Sequence, residues 1–378
     1  MKFHPAKSAK WITDQSALDS IIPALSRGPC LAVDTESNSL FAYQEQVCLI
    51  QFSTTDEDYL IDARAGLDLS DLHSVFNNPD VEKIFHAAEY DVMCLKRDYG
   101  FGFNNLFDTM HAARILGFKH LGLSIMLEDQ FHIEPVKSFQ KANWGKRPLT
   151  HDMRQYARLD THYLIPLRER LDEQLRRSGL HELAQEDFQR LCRVENNHND
   201  APLYTQISGF HHLSPQQISV LDALCCYRDE LASKFNRPLF KVIGARALYA
   251  LAEASPRTID ALETIETLSP RLAKRYGHGL IAAVKRGLEA PPIVLARHKR
   301  PSQAYIRRLE GLKLWRKNKG KEMGVQSDII LPRDILEDIA GQKPKDVPEL
   351  KEIMEEVPWR FRHFSGEILQ VITRGRKA

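Results

Sequence analysis

No stretch of this 378-residue chain approaches the roughly 18 continuous apolar residues that a membrane span needs, which argues for a soluble protein with no membrane partner. The six cysteines (Cys30, Cys48, Cys94, Cys192, Cys225 and Cys226) contain no C-x-x-C pair and no regular spacing. Neither a zinc site nor a disulfide scaffold is therefore expected, and reduced core thiols in a cytoplasmic protein are. Met1-Lys2-Phe3-His4-Pro5 is not followed by an apolar core, so no secretory signal is expected. A large net charge is missing too, but the total of +2 conceals an asymmetry. Residues 1–200 hold 22 Lys and Arg against 30 Asp and Glu, residues 201–290 hold 11 against 8, and residues 291–378 hold 19 against 12. An acidic front and a basic tail suit a cation-binding catalytic part joined to a part that meets polyanions.

What is present starts at Leu31-Ala32-Val33-Asp34-Thr35-Glu36-Ser37. In a strand, side chains alternate, so Asp34 and Glu36 share a face and Thr35 points the other way. Two carboxylates on one face with no basic neighbour in sequence suit a hard divalent cation, although a lone D-x-E is more often a solvated strand end. Gln46–Phe52 and Asp58–Asp62 read as further strands, antiparallel because their link is short. A strand at Lys83–His86 leads into a helix carrying Asp91, which places this acid over the carboxyl edge of a sheet. Asp108 or Thr109 can cap a helix over Met110–Leu116. Thr150 can cap a later helix on which Tyr156 and Asp160, four apart, share one face. A hairpin of strands followed by strand–helix alternation predicts an α/β fold with a mixed sheet flanked by helices.

D-x-E on a first strand, an Asp after a middle strand, and Y-x-x-x-D on a late helix form an ordered set. It resembles the DEDD superfamily of 3′→5′ exonucleases, in the branch with Tyr in the last motif. Phe107-Asp108-Thr109, Trp144-Gly145-Lys146-Arg147-Pro148-Leu149 and the pairing of Tyr156-Ala157 with Asp160 and Tyr163-Leu164 look specifically like bacterial ribonuclease D. The resemblance covers most of the first 170 residues and implies an RNase H-like exonuclease domain. It implies two divalent metal ions, Mg²⁺ or Mn²⁺, held by Asp34, Glu36, Asp91 and Asp160. Tyr156 would then orient the attacking water, since a phenol with a pKa near 10 is a poor base at neutral pH. The implied reaction is hydrolysis of RNA from its 3′ end to nucleoside 5′-monophosphates, tRNA precursors being the family's usual substrate. A DNA exonuclease and a catalytically silent RNA-binding module are the alternatives. Where the family often follows D-T-E with Phe, this chain has Ser37-Asn38-Ser39. His86, His111, His151 and His162 lie near the motifs and are expected in the core or facing phosphate, since Tyr156 takes the position of a catalytic histidine.

Beyond residue 203 the pattern becomes helical. Ser214-Pro215 is a helix start, and Tyr276-Gly277 within residues 204–290 resembles an HRDC domain. Pro291-Pro292 reads as a linker to a second, more divergent HRDC-like helical bundle over residues 291–378. Between Arg297 and Lys321 stand ten basic residues and a single acid, Glu310, with Tyr305 and Trp315 interleaved. Arg307, Arg308, Lys313, Arg316 and Lys317 are the nucleic-acid-binding candidates there, while Leu309, Leu312 and Trp315 also fit a buried helical stripe. The expected whole is an exonuclease domain at 1–203 followed by two all-α HRDC-type bundles, acting as a monomer.

Overall fold

Six extended runs pair into one sheet: β1 (Lys10–Ile12), β2 (Cys30–Ser37), β3 (Val47–Ser53), β4 (Asp58–Asp62), β5 (Glu82–Phe85) and β6 (Leu106–Asp108). Their order is β1-β4-β3-β2-β5-β6, with β2–β3 and β3–β4 antiparallel and the other neighbours parallel, the mixed sheet expected from the sequence. β3 is buried at every position, which a strand reaches only centrally, under helices on both faces. Those helices are α1 (Gln15–Leu25), α2 (Leu72–Phe76), α3 (Glu89–Tyr99), α4 (Thr109–Ile115), α5 (Leu123–Phe131), α6 (His151–His162), α7 (Leu164–Arg177) and α8 (His181–Cys192). Short polar side chains cap three of them, those of α4 and α6 as predicted. Asp14 accepts from the Ala17 amide at 2.9 Å, Asp108 from His111 at 2.9 Å, and Thr150 from Met153 at 3.2 Å.

The structure is a computed structural model that describes residues 8–133, 139–195, 201–295 and 300–377. Arg297 and Lys299 of the basic run lie outside the described residues. The chain falls into two compact units. One comprises Met1–Ser37, Val47–Asn196 and Arg300–Ala378, the other Asn38–Gln46 and Asn197–Lys299. The second unit is helical: α9 (Pro215–Phe235), α10 (Leu239–Val242), α11 (Ala245–Ala254), α12 (Ile259–Glu263) and α13 (Pro270–Glu289). Ser214 and Gln217 form a reciprocal capping box at the start of α9. α13 crosses α9 so closely that a Cβ on Gly287 would lie 2.4 Å from the Val220 Cα, so no larger residue fits there.

Residues 300–378 add α14 (Gln303–Met323), α15 (Ser327–Ile330), α16 (Arg333–Gln342), α17 (Val347–Ile353) and α18 (Pro358–Lys377). These helices, read from the sequence as a second bundle after a linker, share a continuous apolar core with the sheet, and Leu312, Ile330, Ile339 and Ile368 are all buried in it. Arg360 of α18 is wholly buried between Glu186 and Asp187 of α8, at 2.9 Å from each. No helix among the described residues is long and apolar enough to cross a membrane.

Candidate active site

β2 outruns its parallel neighbour. Its register with β5 ends at Ala32 opposite Ile84, whereas with β3 it continues through Ser37, with an irregularity between Glu36 and Ser37. From Val33 onward the β5 side of β2 is therefore an open edge. α3 starts beside that edge, after a tight turn in which Ala87 takes φ +65. This left-handed conformation costs a non-glycine residue roughly 1–2 kcal/mol. Asp108 stabilises the turn by accepting from the Ala87 and Ala88 amides at 3.2 and 2.7 Å. Asp91, buried in the first turn of α3, thus meets the edge of β2 and not one of its faces. Its carboxylate accepts from the Thr35 hydroxyl at 2.5 Å. Strand alternation alone turns Thr35 away from the site. It takes part because an edge is open to side chains of both parities.

The opposite carboxylates behave as the alternation predicts. Asp34 and Glu36 share the face covered by α6, and α6 presents Asp160 to them. One carboxylate oxygen from each of Asp34, Glu36 and Asp160 lies within 4.8 Å of the others. Asp91 stands beside this trio and acts on it electrostatically. None of the four is ion-paired with a lysine or arginine among the described residues. Burial first, then mutual repulsion, therefore pushes their protons on: Asp34 is held well above the usual carboxylate range and Glu36 is raised to about 9. Asp91 and Asp160 are raised to about 7, burial dominating in each. The Tyr156 hydroxyl donates to Asp160, and burial together with Asp160, Glu36 and Asp34 raises this phenol far above its ordinary value. It stays protonated at neutral pH. Hard oxygen donors, crowded and lacking a cation, match what a hard divalent metal ion requires.

Sequence inspection missed Gln51. It sits opposite Asp34 in the β2–β3 register, is fully buried, and its Nε2 donates to Asp34 Oδ2 at 3.2 Å. Only the strand register could have revealed it. The remaining motif residues are structural supports. Arg147 forks onto Asp62 at 2.7 and 2.6 Å and reaches the carbonyls of Cys48 and Trp144, fixing the loop before α6. Trp144 is buried with its ring 6.1 Å from that of Tyr156. His162 turns to Asp58, which also accepts from Ser53 and Arg158. His111 turns to Asp187 and His86 to Thr109, while His151 is exposed.

The basic helix α14 divides in two. Arg307, Lys313 and Lys317 are exposed. Arg308 instead donates to the Ala340 carbonyl and Arg316 to the Leu331 carbonyl, each at 2.8 Å, so both serve the bundle. Trp315 donates to Glu367 at 2.7 Å and packs edge-on against Phe364, the core alternative.

The raised carboxylates have a consequence for stability. With no cation bound, the native state keeps protons that the unfolded chain releases from about pH 4 upward. Stability therefore falls as pH rises through about 7 for Asp91 and Asp160 and on toward about 9 for Glu36. In EDTA, the urea midpoint of the wild type should fall relative to that of Asp34→Asn between about pH 5 and about pH 8. Parallel profiles would contradict this crowding of the four carboxylates.

A family model described as a 3′-5′ exonuclease matches residues 9–176, and a model of the HRDC domain matches residues 217–284 and again 306–372. Ribonuclease D of Nitrobacter hamburgensis is 28% identical, covering 97% of this chain and 97% of its own length. Protein RRP6-like 1 of Arabidopsis thaliana is 29% identical over 74% of this chain but 46% of that protein, so the chain spans under half the length of this relative. Among solved structures, that of Escherichia coli RNase D, described as an exoribonuclease involved in structured RNA processing, shares the fold. Its TM-score is 0.72 at 22% identity, over 97% of this chain and 99% of that one.

Proposed function

We propose that this chain, which belongs to the ribonuclease D family of 3′–5′ exoribonucleases, hydrolyses RNA through Asp34, Glu36, Asp91, Asp160 and Tyr156. The four carboxylates hold two divalent ions, Mg²⁺ or Mn²⁺. When bound, these ions supply the positive charge that stabilises the attacking and leaving oxygens of a phosphodiester. The observation that carries this is the trio of carboxylate oxygens within 4.8 Å of one another, with no protein cation to balance them. Asp34, Glu36 and Asp160 supply the donor oxygens, and Thr35 keeps Asp91 ionisable and oriented beside them. Tyr156 holds its proton, gives it to Asp160 in a hydrogen bond, and with its oxygen lone pairs accepts from the attacking water and so positions it. Products are nucleoside 5′-monophosphates, and the substrates are tRNA precursors or other structured RNA 3′ ends. Residues 1–203 form the catalytic part, with helical modules at 204–290 and 291–378. The protein works as a cytoplasmic monomer, and the exposed Arg307, Lys313 and Lys317 contact phosphate.

The test is degradation of a 5′-labelled RNA and its DNA counterpart, each with Mn²⁺ and with EDTA. Metal-dependent shortening of the RNA from its 3′ end, with DNA spared, is expected. Equal digestion of both would make the chain a general exonuclease, and tight RNA binding without digestion would make it a silent module.

Tyr156→Phe should lower kcat on the order of 10²-fold with little change in Mn²⁺ affinity, as expected for a lost positioning hydrogen bond. An affinity that fell in step with kcat would mean that Tyr156 shapes the metal site instead. Gln51→Leu should weaken Mn²⁺ binding, read by calorimetry, by about 10-fold, the usual scale for removing a partner that orients a ligand. Unchanged binding would reduce Gln51 to a packing residue.

A further inference from the structure

Strands β5 and β6 run parallel and end together, with Phe85 opposite Asp108 in their register. The chain leaves both at the carboxyl edge of the sheet, and there Asp108 and Thr109 bond to four consecutive residues of the turn from β5 into α3. The Thr109 hydroxyl donates to the Phe85 carbonyl at 3.0 Å and lies 2.9 Å from His86 Nδ1. Asp108 Oδ1 accepts from the Ala87 amide at 3.2 Å, and its Oδ2 accepts from the Ala88 amide at 2.7 Å. Capping accounts for part of this, since Oδ1 also accepts from the His111 amide at 2.9 Å and so starts α4. Oδ2 makes no bond within α4 and serves only the neighbouring turn. Asp108 and Thr109 are both buried, so neither bond competes with bulk water.

That turn needs holding from outside. Ala87 takes the left-handed φ of +65, which a side chain disfavours. Ala88, the N-cap of α3, lends no side-chain bond to the first turn of its helix. Its carbonyl nevertheless receives the Val92 amide at 2.9 Å, so the placement of Ala88 sets the turn that carries Asp91. We infer that Asp108 is a positioning residue for the metal site: by holding Ala87 and Ala88 it fixes the start of α3 and so sets Asp91 against the edge of β2. The inference rests on Asp91 helping to hold divalent ions, as proposed above.

Asparagine separates the two duties of Asp108. Its carbonyl oxygen can still cap α4, but its amide nitrogen replaces Oδ2 and sets a donor against the Ala88 donor. The experiment measures Mn²⁺ binding to the full chain by calorimetry, with the urea midpoint and hydrogen exchange of residues 86–92 both taken in EDTA. Asp108→Asn should bind Mn²⁺ about 10-fold more weakly, the scale for losing a partner that orients a ligand, and residues 86–92 should exchange faster. Ala87→Gly alone should bind like wild type, because glycine takes this φ freely. Added to Asp108→Asn, it should recover about 5-fold or more of the lost affinity, since the left-handed turn then needs no outside bond. Glycine restores no charge, so the recovery separates positioning from the mere loss of a carboxylate. Asp14→Ala, which removes the cap of α1, should lower the urea midpoint and leave Mn²⁺ affinity unchanged. Thr109→Val, which removes the hydroxyl bonds to Phe85 and His86, should also weaken Mn²⁺ binding and keeps the test open if Asp108→Asn folds poorly. Unchanged affinity or exchange in Asp108→Asn, a loss that Ala87→Gly does not relieve, or an equal loss in Asp14→Ala would overturn the inference while leaving the site assignment standing. A wild type that binds no Mn²⁺ would overturn both.

Discussion

Asp34→Asn should lower kcat on RNA by on the order of 10³-fold, equivalent to about 4 kcal/mol of lost transition-state stabilisation. Asp160→Asn should do the same. Asparagine keeps the shape of the side chain and can still accept from Gln51, but removes the negative charge needed to hold a cation. The same substitution should make the metal-free protein more stable. Asp34 is crowded by Asp91, Asp160 and Glu36, and its repulsion with them ends when it can no longer ionise. Activity and stability moving in opposite directions is the signature of a site built for a ligand at the expense of the empty fold. The checks are kcat with Mn²⁺, the urea midpoint in EDTA near neutral pH, and RNA affinity, which should stay within a few-fold of wild type. Retained cleavage in both variants would refute the site assignment. Lost cleavage with lost stability would mean that Asp34 holds the fold together instead.

Arg360→Ala should destabilise the first unit by about 3–5 kcal/mol, the usual cost of removing one partner from a buried ion pair. The guanidinium is fully buried and donates to Glu186, Asp187 and the Ile329 carbonyl, satisfying three acceptors that water cannot reach. The two acids respond differently. Burial keeps Glu186 above the usual range despite Arg360. At Asp187 the same burial is outweighed by Arg360 and by a hydrogen bond from His111, and its value is lowered. Without Arg360, both would be buried side by side, with His111 against Asp187 and the Trp359 amide against Glu186 but no guanidinium to balance them. A lower urea midpoint at unchanged slope is expected, and the triple variant Arg360→Met/Glu186→Gln/Asp187→Asn should recover most of the loss. No shift in midpoint would mean that water enters the interface and α18 is loosely held. Deleting residues 300–378 would expose these acids and a face of the core together. Loss of activity in such a truncation would therefore say nothing about RNA, and point changes at Arg307, Lys313 and Lys317 are the cleaner test of phosphate contact.

Much of the catalytic half was legible in the sequence because its rules are local. The parity of β2 put Asp34 and Glu36 on one face, the i to i+4 spacing of α6 put Tyr156 beside Asp160, and Asp108, Thr150 and Ser214 marked helix starts. β1 was not legible, since three residues carry no usable period and are ordered only by pairing with β4. α14 was legible as basic and amphipathic, but charge density alone could not separate the exposed Arg307 from Arg308, which reaches a carbonyl 32 residues away.

The sequence by itself determined which residue types could hold a cation and which elements would carry them, because strand alternation and helical spacing act over a few residues. Tertiary structure alone decided that Asp91 meets Thr35 at an open strand edge, that Gln51 stands against Asp34, and that Arg360 locks α18 onto α8. Each of these joins residues distant in the chain through register or packing, and such pairings leave no periodic trace in the order of amino acids.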